Sequence, residues 1–571
     1  MPARISIPRY TMNSSLRESR VAPLNSPRAF GFARRLHVLT LLLAILLGAS
    51  HGAWAQKSEA QKSRARKLPS PDKIVSDYLK AVGGRKRQGT ILDATYEWNV
   101  QQGADAAARG TARTYTKFPA STRTDIAIDG DESKAAANAR SAWLRPAGSE
   151  LRTLTDREAN VAKLLSALDA SRLVDYKKQD VLARTIELSE GGNNIERAYV
   201  IEFSRRNGAW LRYWFGVDSK LPLQVTDDSR ELNIRYKDYR ATQNGVLEPH
   251  RIEIRRRDAP PLAFTLNGVR YNTGLADALF EPPSDLSLNI AELLRAVASN
   301  QAQLDRRVSD YTYTRKETQR EFDGKGLVKT EKVVVHEVYP VAGGGSVLKL
   351  ISEDGVPLSP TQLEREEKRV VEELAKLERE NARRREKRER ERAERERKRK
   401  DAGASGEGAT TEENVGVAVF LRACEFVSPR RERFQERDAI VFDFRPRPNF
   451  KPSTRSEAMV AKLAGVAWID PVDRQVMRLE ARLAESYKVG GGLFVSVRPG
   501  SAVVIEQTRL ADGVWLPRYS QINAAAKLFL FAGFHLDATH EYSNYKRFST
   551  VVGDAQVDAP PEPAATPPEK P

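Results

Sequence analysis

Side chains able to break bonds are few in this chain and stand far apart. Its 571 residues hold six histidines and one cysteine. Beyond the first 55 residues the histidines are His250, His336, His535 and His540, and Cys424 is the single thiol. A hydrolytic zinc needs paired ligands such as H-E-x-x-H, and a structural zinc needs clustered Cys and His; neither spacing occurs. One cysteine also excludes an intrachain disulfide. No G-x-S-x-G elbow presents a serine nucleophile, and no Walker A loop cradles a phosphate. "GGGLF" at Gly490 lacks the helix that a phosphate loop requires. His535 and His540 are five apart on an expected strand and so fall on opposite faces. The expectation is a protein that is not an enzyme, with no catalytic residues, no metal and no cofactor.

The spacing that does recur is apolar. Tyr96 and Trp98 are two apart in "DATYEWNV", as are Tyr199, Ile201 and Phe203 in "AYVIEF". Residues two apart share one face of a strand. Leu164, Leu165 and Leu168, with Val161, form a helical stripe in "REANVAKLLSAL". Rings and branched chains beneath a leucine stripe make either a packed core or the lining of a cavity for an apolar ligand. These eight residues, Tyr96, Trp98, Leu164, Leu165, Leu168, Tyr199, Ile201 and Phe203, are the candidate ligand-cavity wall.

The elements that must position them are legible. "SPDKIVSDYLKAVGG" has Ser70 as helix N-cap, Pro71 at the first helical position and Gly83 just past the end. Thr155 with Glu158 has the form of a capping box at the start of the leucine-stripe helix. In "DATYEWNV", Ala94, Tyr96, Trp98 and Val100 alternate with polar residues, which predicts a sheet covered on one side and wet on the other. Asn207-Gly208 and Pro499-Gly500 are turn signals. Helices that carry an apolar stripe must bury it, and the bulky sheet face is the economical place.

The pattern occurs twice. "GVLEPHRIEI" from Gly245 is echoed by "GVWLPRYSQI" from Gly513, and "AYVIEF" from Ala198 by "AIVFDF" from Ala439. Asp93-Ala94-Thr95-Tyr96 is echoed by Asp310-Tyr311-Thr312-Tyr313, and the Trp214-to-Asp218 stretch by Trp468-to-Asp473. Along the chain the offsets rise steadily, 217, 241, 254 and 268, as they would if the second copy carried insertions. A helix from Asn289 would open that copy and "NVGVAVFLRACEF" from Asn414 would supply its later helix. The expected organisation is a leader at 1–55, a first domain at 68–288, a second at 289–552 and a Pro-rich tail at 559–571.

Arg34 and Arg35, a short apolar run and Ala53-Trp54-Ala55 make a secretory signal peptide cleaved after Ala55, with an uncleaved inner-membrane anchor as the alternative. The net charge is +17, and the leader's seven arginines and one glutamate leave +11 without it. No nucleic-acid motif accompanies this charge. Residues 359–400 form a charged helical insertion whose apolar stripe (Leu363, Val370, Leu374, Leu377) ends early, followed by a flexible linker at 401–414. Asn381 to Lys400 holds twelve bases and five acids, with pairs such as Glu386–Arg390 four apart. It is either a solvated spacer or a docking arm for an acidic membrane surface or an envelope protein. "KLFLFAGFHL" is apolar on both faces, so both must be covered.

The "YLKAVGG" helix, "YTKFPASTR" on an early strand, the Trp-to-Asp hairpin, "GVLEPHRIEI" and the closing "NGVRYNTGLADALFEPP" resemble the LolA-like periplasmic lipoprotein carrier family. The resemblance covers the first copy well and the second more loosely. It implies an α+β fold of two tandem curved antiparallel sheets, unclosed β-barrels, each with helices across its concave face. It also implies an apolar cavity for lipid or lipoprotein acyl chains. In the family a basic residue before the strand proline latches the lid; here that position is Phe118, ahead of Pro119. The functional expectation is a periplasmic carrier or binding protein for apolar ligands, and the alternative is a non-catalytic scaffold that uses the charged helix as its arm.

Overall fold

The computed structural model describes residues 68–547 except 104–107, 192–195, 207, 228–230, 243, 258, 308–309, 324–327, 342–344, 402–416, 490–494 and 529–531. The leader, the linker beyond Asp401, the centre of the two-sided segment (529–531) and the Pro-rich tail lie outside the described residues.

Helix α1 (Pro71–Ala81) starts where Ser70 accepts a hydrogen bond from the Lys73 N–H at 3.3 Å. It stops at Gly83, whose φ of +110° favours glycine. A short α2 (Arg85–Gly89) leads into the first sheet. Its central strand β1 (Asp93–Gln102) lies between β2 (Ala108–Lys117) and β13 (Ala259–Tyr271). From β2 the sheet runs outward through β3 (Ser121–Ile128), β4 (Asp131–Ala137) and β5 (Ala142–Arg145) to β6 (Arg152–Thr153). From β13 it runs the other way through β12 (Leu247–Arg256), β11 (Leu232–Ala241), β10 (Pro222–Asp227), β9 (Trp210–Gly216) and β8 (Ala198–Ser204) to β7 (Leu182–Ser189). Every neighbouring pair is antiparallel, and β6 and β7 do not meet, so the sheet is open.

Helix α3 (Asp156–Ala170) makes the curvature visible. It touches β9 and also β2, β3, β4 and β5. From β5 to β9 the sheet has nine strand spacings, roughly 43 Å if flat. A helix of 15 residues is only about 22 Å long. The sheet must therefore wrap around the helix. The capping box expected here does not form: no side chain caps α3, because Glu158 is held by Arg152 at 2.8 and 3.1 Å.

A second helix–sheet unit follows. Helix α4 (Ile290–Arg307), capped where Asn289 Oδ1 accepts from the Glu292 N–H at 3.1 Å, precedes β14 (Tyr311–Phe322). Strand β14 sits between β15 (Val328–Pro340) and β26 (Ala532–Arg547). One arm continues through β16 (Ser346–Glu353) to β17 (Val356–Pro357). The other runs through β25 (Trp515–Leu528), β24 (Ala502–Arg509), β21 (Gln475–Leu483), β20 (Leu463–Asp470) and β19 (Arg437–Pro446) to β18 (Cys424–Phe434). A hairpin of β22 (Tyr487–Val489) and β23 (Val495–Val497) hangs from β25. In both sheets the first strand pairs with the second and the last, and the four sequence echoes fall on corresponding strands: β1 and β14, β8 and β19, β9 and β20, β12 and β25.

The insertion is helix α5 (Pro360–Asp401). Its start packs on the sheet edge, where Val370 joins Val341 and Val347 and where Lys349 Nζ donates to Glu367 at 2.8 Å. Asn381 is the last buried residue among those described in this helix, and every described side chain from 382 to 394 is exposed. Helices α6 (Val417–Ala423) and α7 (Arg455–Val460) cover part of the second sheet through Val419, Ala423 and Val460. No described helix is long and apolar enough to cross a membrane.

Both sheets belong to one compact unit, and their junction is polar. Ser141 Oγ donates to Asp443 Oδ2 at 2.6 Å, and Arg478 Nη2 donates to Asp156 Oδ1 at 2.5 Å. Helix α3 is thus held by the first sheet on one side and by β21 on the other.

Candidate functional site: the inner face of the first sheet

Register makes the inner face continuous. Phe203 opposes Leu211, Ile201 opposes Tyr213, and Tyr213 opposes Val225. The row continues through Ile234, Ile254 and Leu262, and through Tyr236, Ile252, Phe264 and Val100. Trp98 opposes Ala112, which opposes Ile126. The helices press on this face at one end.

The eight candidate wall residues fall into two groups on that face. Ile201, Phe203, Leu164 and Leu168, each no more than 1% exposed, pack with α1 residues Ile74, Val75 and Leu79. Phe203 is clamped edge-on by Tyr176 and Tyr213 at centroid distances of 5.3 and 5.2 Å. Tyr96 and Trp98 are buried in a separate cluster with Val100, Ala112 and Phe264. Leu165 and Tyr199 border the first cluster and stay partly open. Ile252 and Ile254 touch both clusters and are also only partly buried. The strand alternation expected for β1 holds for its apolar side. On its other side Asp93 is buried because it accepts from the Thr273 and Gly274 N–H groups at 2.7 and 3.0 Å.

A carboxyl interrupts the apolar surroundings of the first cluster. Asp169 lies in the last turn of α3, four residues after Leu165, and its side chain reaches water. Protein nonetheless rings it so closely that burial pushes its carboxyl up to about 7, against the pull of Arg172. Among the described residues no group donates a hydrogen bond to that carboxylate. Burial also raises the phenols of Tyr78, Tyr213 and Tyr236, and the Asp169 charge raises each of them further. The Tyr213 hydroxyl is buried with no hydrogen-bond partner. An anion in the last turn of a helix also opposes the helix dipole. The arrangement is a water-reached polar spot inside an apolar wall.

Arg172 stands just beyond the end of α3. It donates from Nη2 to Glu248 Oε1 at 2.7 Å and from Nη1 to the Tyr96 hydroxyl at 2.8 Å, and its Nε donates to Gln88. Tyr271 donates to the same Glu248 oxygen at 2.7 Å. Arg172 is held charged well above its ordinary range despite burial, because Glu248 faces it. One arginine thus ties the end of α3 to α2, β1 and β12. Sequence reasoning missed this set. A signal was present: Glu248 shares its strand face with Ile252 and Ile254, so a carboxylate sits in an apolar row. Phe118, ahead of Pro119, is exposed at 43%.

No family model and no curated protein matches this chain. Solved structures do. A DUF1329 family protein from Desulfovibrio piger is 17% identical and covers 36% of this chain and 97% of its own, with a TM-score of 0.26. A LolA superfamily protein from Nitrosomonas europaea is 13% identical and covers 38% and 98%, with a TM-score of 0.27. A putative outer membrane lipoprotein-sorting protein domain from Vibrio parahaemolyticus is also 13% identical and covers 36% and 95%, with a TM-score of 0.26. The chain is similar to each over little more than a third of its length. Among the described residues, no three His, Cys, Asp or Glu side chains converge to hold a metal ion.

Proposed function

We propose that the first sheet and α3 form a non-catalytic carrier for one apolar chain, a lipid or lipoprotein acyl group, acting in the periplasm. The observation that supports it most is Asp169. A packed core would leave this carboxyl dry, whereas here it is exposed although its charge is felt by the phenols of Tyr78, Tyr213 and Tyr236. The partly open residues at the same place, Leu165, Tyr199, Tyr236, Ile252 and Ile254, are those an acyl chain would touch. Ile201, Phe203, Leu164 and Leu168 form the floor behind them, and Tyr96 and Trp98 the far wall.

The test is Leu165→Asp. A charge placed on the cavity wall disfavours an acyl chain strongly, while a wall position tolerates the change better than a core position does. Binding of a fluorescent acyl probe with an uncharged end should fall at least about tenfold with the fold retained. A wild-type protein that binds no probe, together with a variant that unfolds, would mean that these residues are ordinary core. In that outcome the scaffolding reading stands instead, supported by the exposed described side chains of α5 from 382 to 394 and the excess of bases there, as a docking arm for acidic lipid or an envelope protein.

A further inference from the structure

On the far side of α3 from that cavity, where the two sheets meet, positive charge collects without enough counter-charge. Arg478, Glu480 and Arg482 succeed one another on one face of β21. Arg478 is fully paired, with Asp156 at 2.5 Å, Glu480 at 2.9 Å and Glu506 also in contact. The side chain of Arg482, two residues beyond Glu480, makes no hydrogen bond or ion pair among the described residues, and its Nε is buried without a partner. Three more cations face it. Arg205 follows β8, and among the described residues its side chain has only the Gln179 carbonyl at 3.3 Å, with its Nε also without a partner. Arg140, in the β4–β5 turn, makes no hydrogen bond through its buried Nε. Lys163 projects from α3.

The nearby carboxylates are already engaged. Asp180 is held by Arg206, and Glu281 takes Arg140 Nη2 at 2.5 Å. Asp443 accepts from Arg430 at 3.1 Å and stands 3.7 Å from Arg140 Nε. Glu480 serves Arg478 and lies 3.8 Å from Lys163. Burial, then Arg205 and Arg140, push the Arg482 guanidinium down to about 10. Burial likewise lowers Lys163 and Arg205. Arginine cannot escape by losing its proton at neutral pH. Guanidinium N–H groups left unbonded beside like charges are costly, and a doubly charged oxyanion is the species whose geometry they fit bidentately.

We propose that the junction between the two sheets binds a phosphate group, held by Arg482 and Arg205 with Lys163 and Arg140 behind them. The group arrives as free phosphate or as the phosphomonoester head of a lipid. Four segments contribute, two turns and a helix from the first unit and β21 from the second, so the bound anion would also lock the units together. This site is distinct from the acyl cavity and stands or falls separately.

The experiment titrates the full chain with inorganic phosphate and with dihexanoyl phosphatidic acid, at constant ionic strength with chloride as the control, and reads the thermal midpoint and the dissociation constant. Both ligands should raise the midpoint saturably while chloride does not. A stronger effect of the lipid that Arg482→Gln removes identifies a headgroup, and equal effects identify free phosphate; either supports the site, whereas a lipid effect that Arg482→Gln leaves intact belongs to the acyl cavity. Arg482→Gln should weaken binding about tenfold or more and should raise the midpoint without ligand, since it removes an uncompensated charge. Arg478→Gln serves as the structural contrast and should lower the midpoint without ligand. The proposal is overturned if neither ligand acts differently from chloride, or if Arg482→Gln leaves phosphate binding unchanged.

Discussion

Helices α3 and α5 occupy the same place in the order of their units, after the outermost strand of one arm and before the other arm begins, yet they end in opposite environments. Helix α3 carries apolar residues to its last turn and lies between two sheets. Helix α5 loses its apolar stripe after Leu377 and leaves the protein surface at Asn381. The difference is one of composition along the helix rather than of topology. A helix is drawn into a fold only as far as its apolar face extends. Beyond that point, ion pairs four residues apart, such as Arg390 with Glu386, maintain it in water.

The comparison breaks most clearly at Leu164. Leu164→Asp buries an unpaired charge in a fully packed position, and should cost about 4 kcal/mol of unfolding free energy, measured as a shift of the denaturant midpoint. The same change at Leu377, which only borders its cluster on α5, should cost roughly 1–2 kcal/mol. Equal losses would show that α5 is packed as α3 is.

A smaller effect, but one of definite sign, comes from Asp169. Its folded carboxyl titrates at about 7, against 3.8 for an ordinary aspartate. Between those values the unfolded chain holds fewer protons at this position than the folded one does. Stability should therefore fall as pH rises from about 4 to about 7, and this contribution should then level off. Asp169→Asn should remove that slope and stabilise the protein above pH 7. Equilibrium unfolding of both proteins from pH 5 to 8 gives the comparison, and parallel curves would count against a ringed carboxyl. The smallest effect belongs to α5. Deleting Arg383 to Lys400 should change the unfolding free energy by no more than about 0.5 kcal/mol, and a large drop in thermal midpoint would refute its solvated character.

Local rules made much of this readable in advance. The period of two placed Tyr199, Ile201 and Phe203 on one face, and the echo from Gly245 to Gly513 marked the matching strands β12 and β25 before any pairing was known. The charged helix ends within a residue of its expected limit. The sequence did not disclose which apolar residues would be sealed and which left beside water. Ile201 and Leu165 look equivalent along the chain, yet one is fully buried and the other is not. That division depends on how far the sheet curls around α3, a property of thirteen strands together. Arg172 and Glu248 are 76 residues apart, beyond the reach of any local pattern. Thr155 and Glu158 had the right spacing for a cap, but Arg152 took the glutamate first.

The junction at Thr153 has a consequence for how this molecule behaves among its own copies. An open sheet ends in a strand whose free N–H and C=O groups can template pairing with another chain, the route to aggregation and strand exchange. The outermost strand β6 does not offer that template freely. The Thr153 N–H donates to Glu432 Oε2 at 2.7 Å, and Glu432 belongs to β18, the outermost strand of the other sheet. A carboxylate from one border thus occupies a donor on the other, with Arg430 buried beside it to balance the charge. The second sheet thus guards a vulnerable margin of the first, so that open sheet is safer from self-association beside its neighbour than it would be alone.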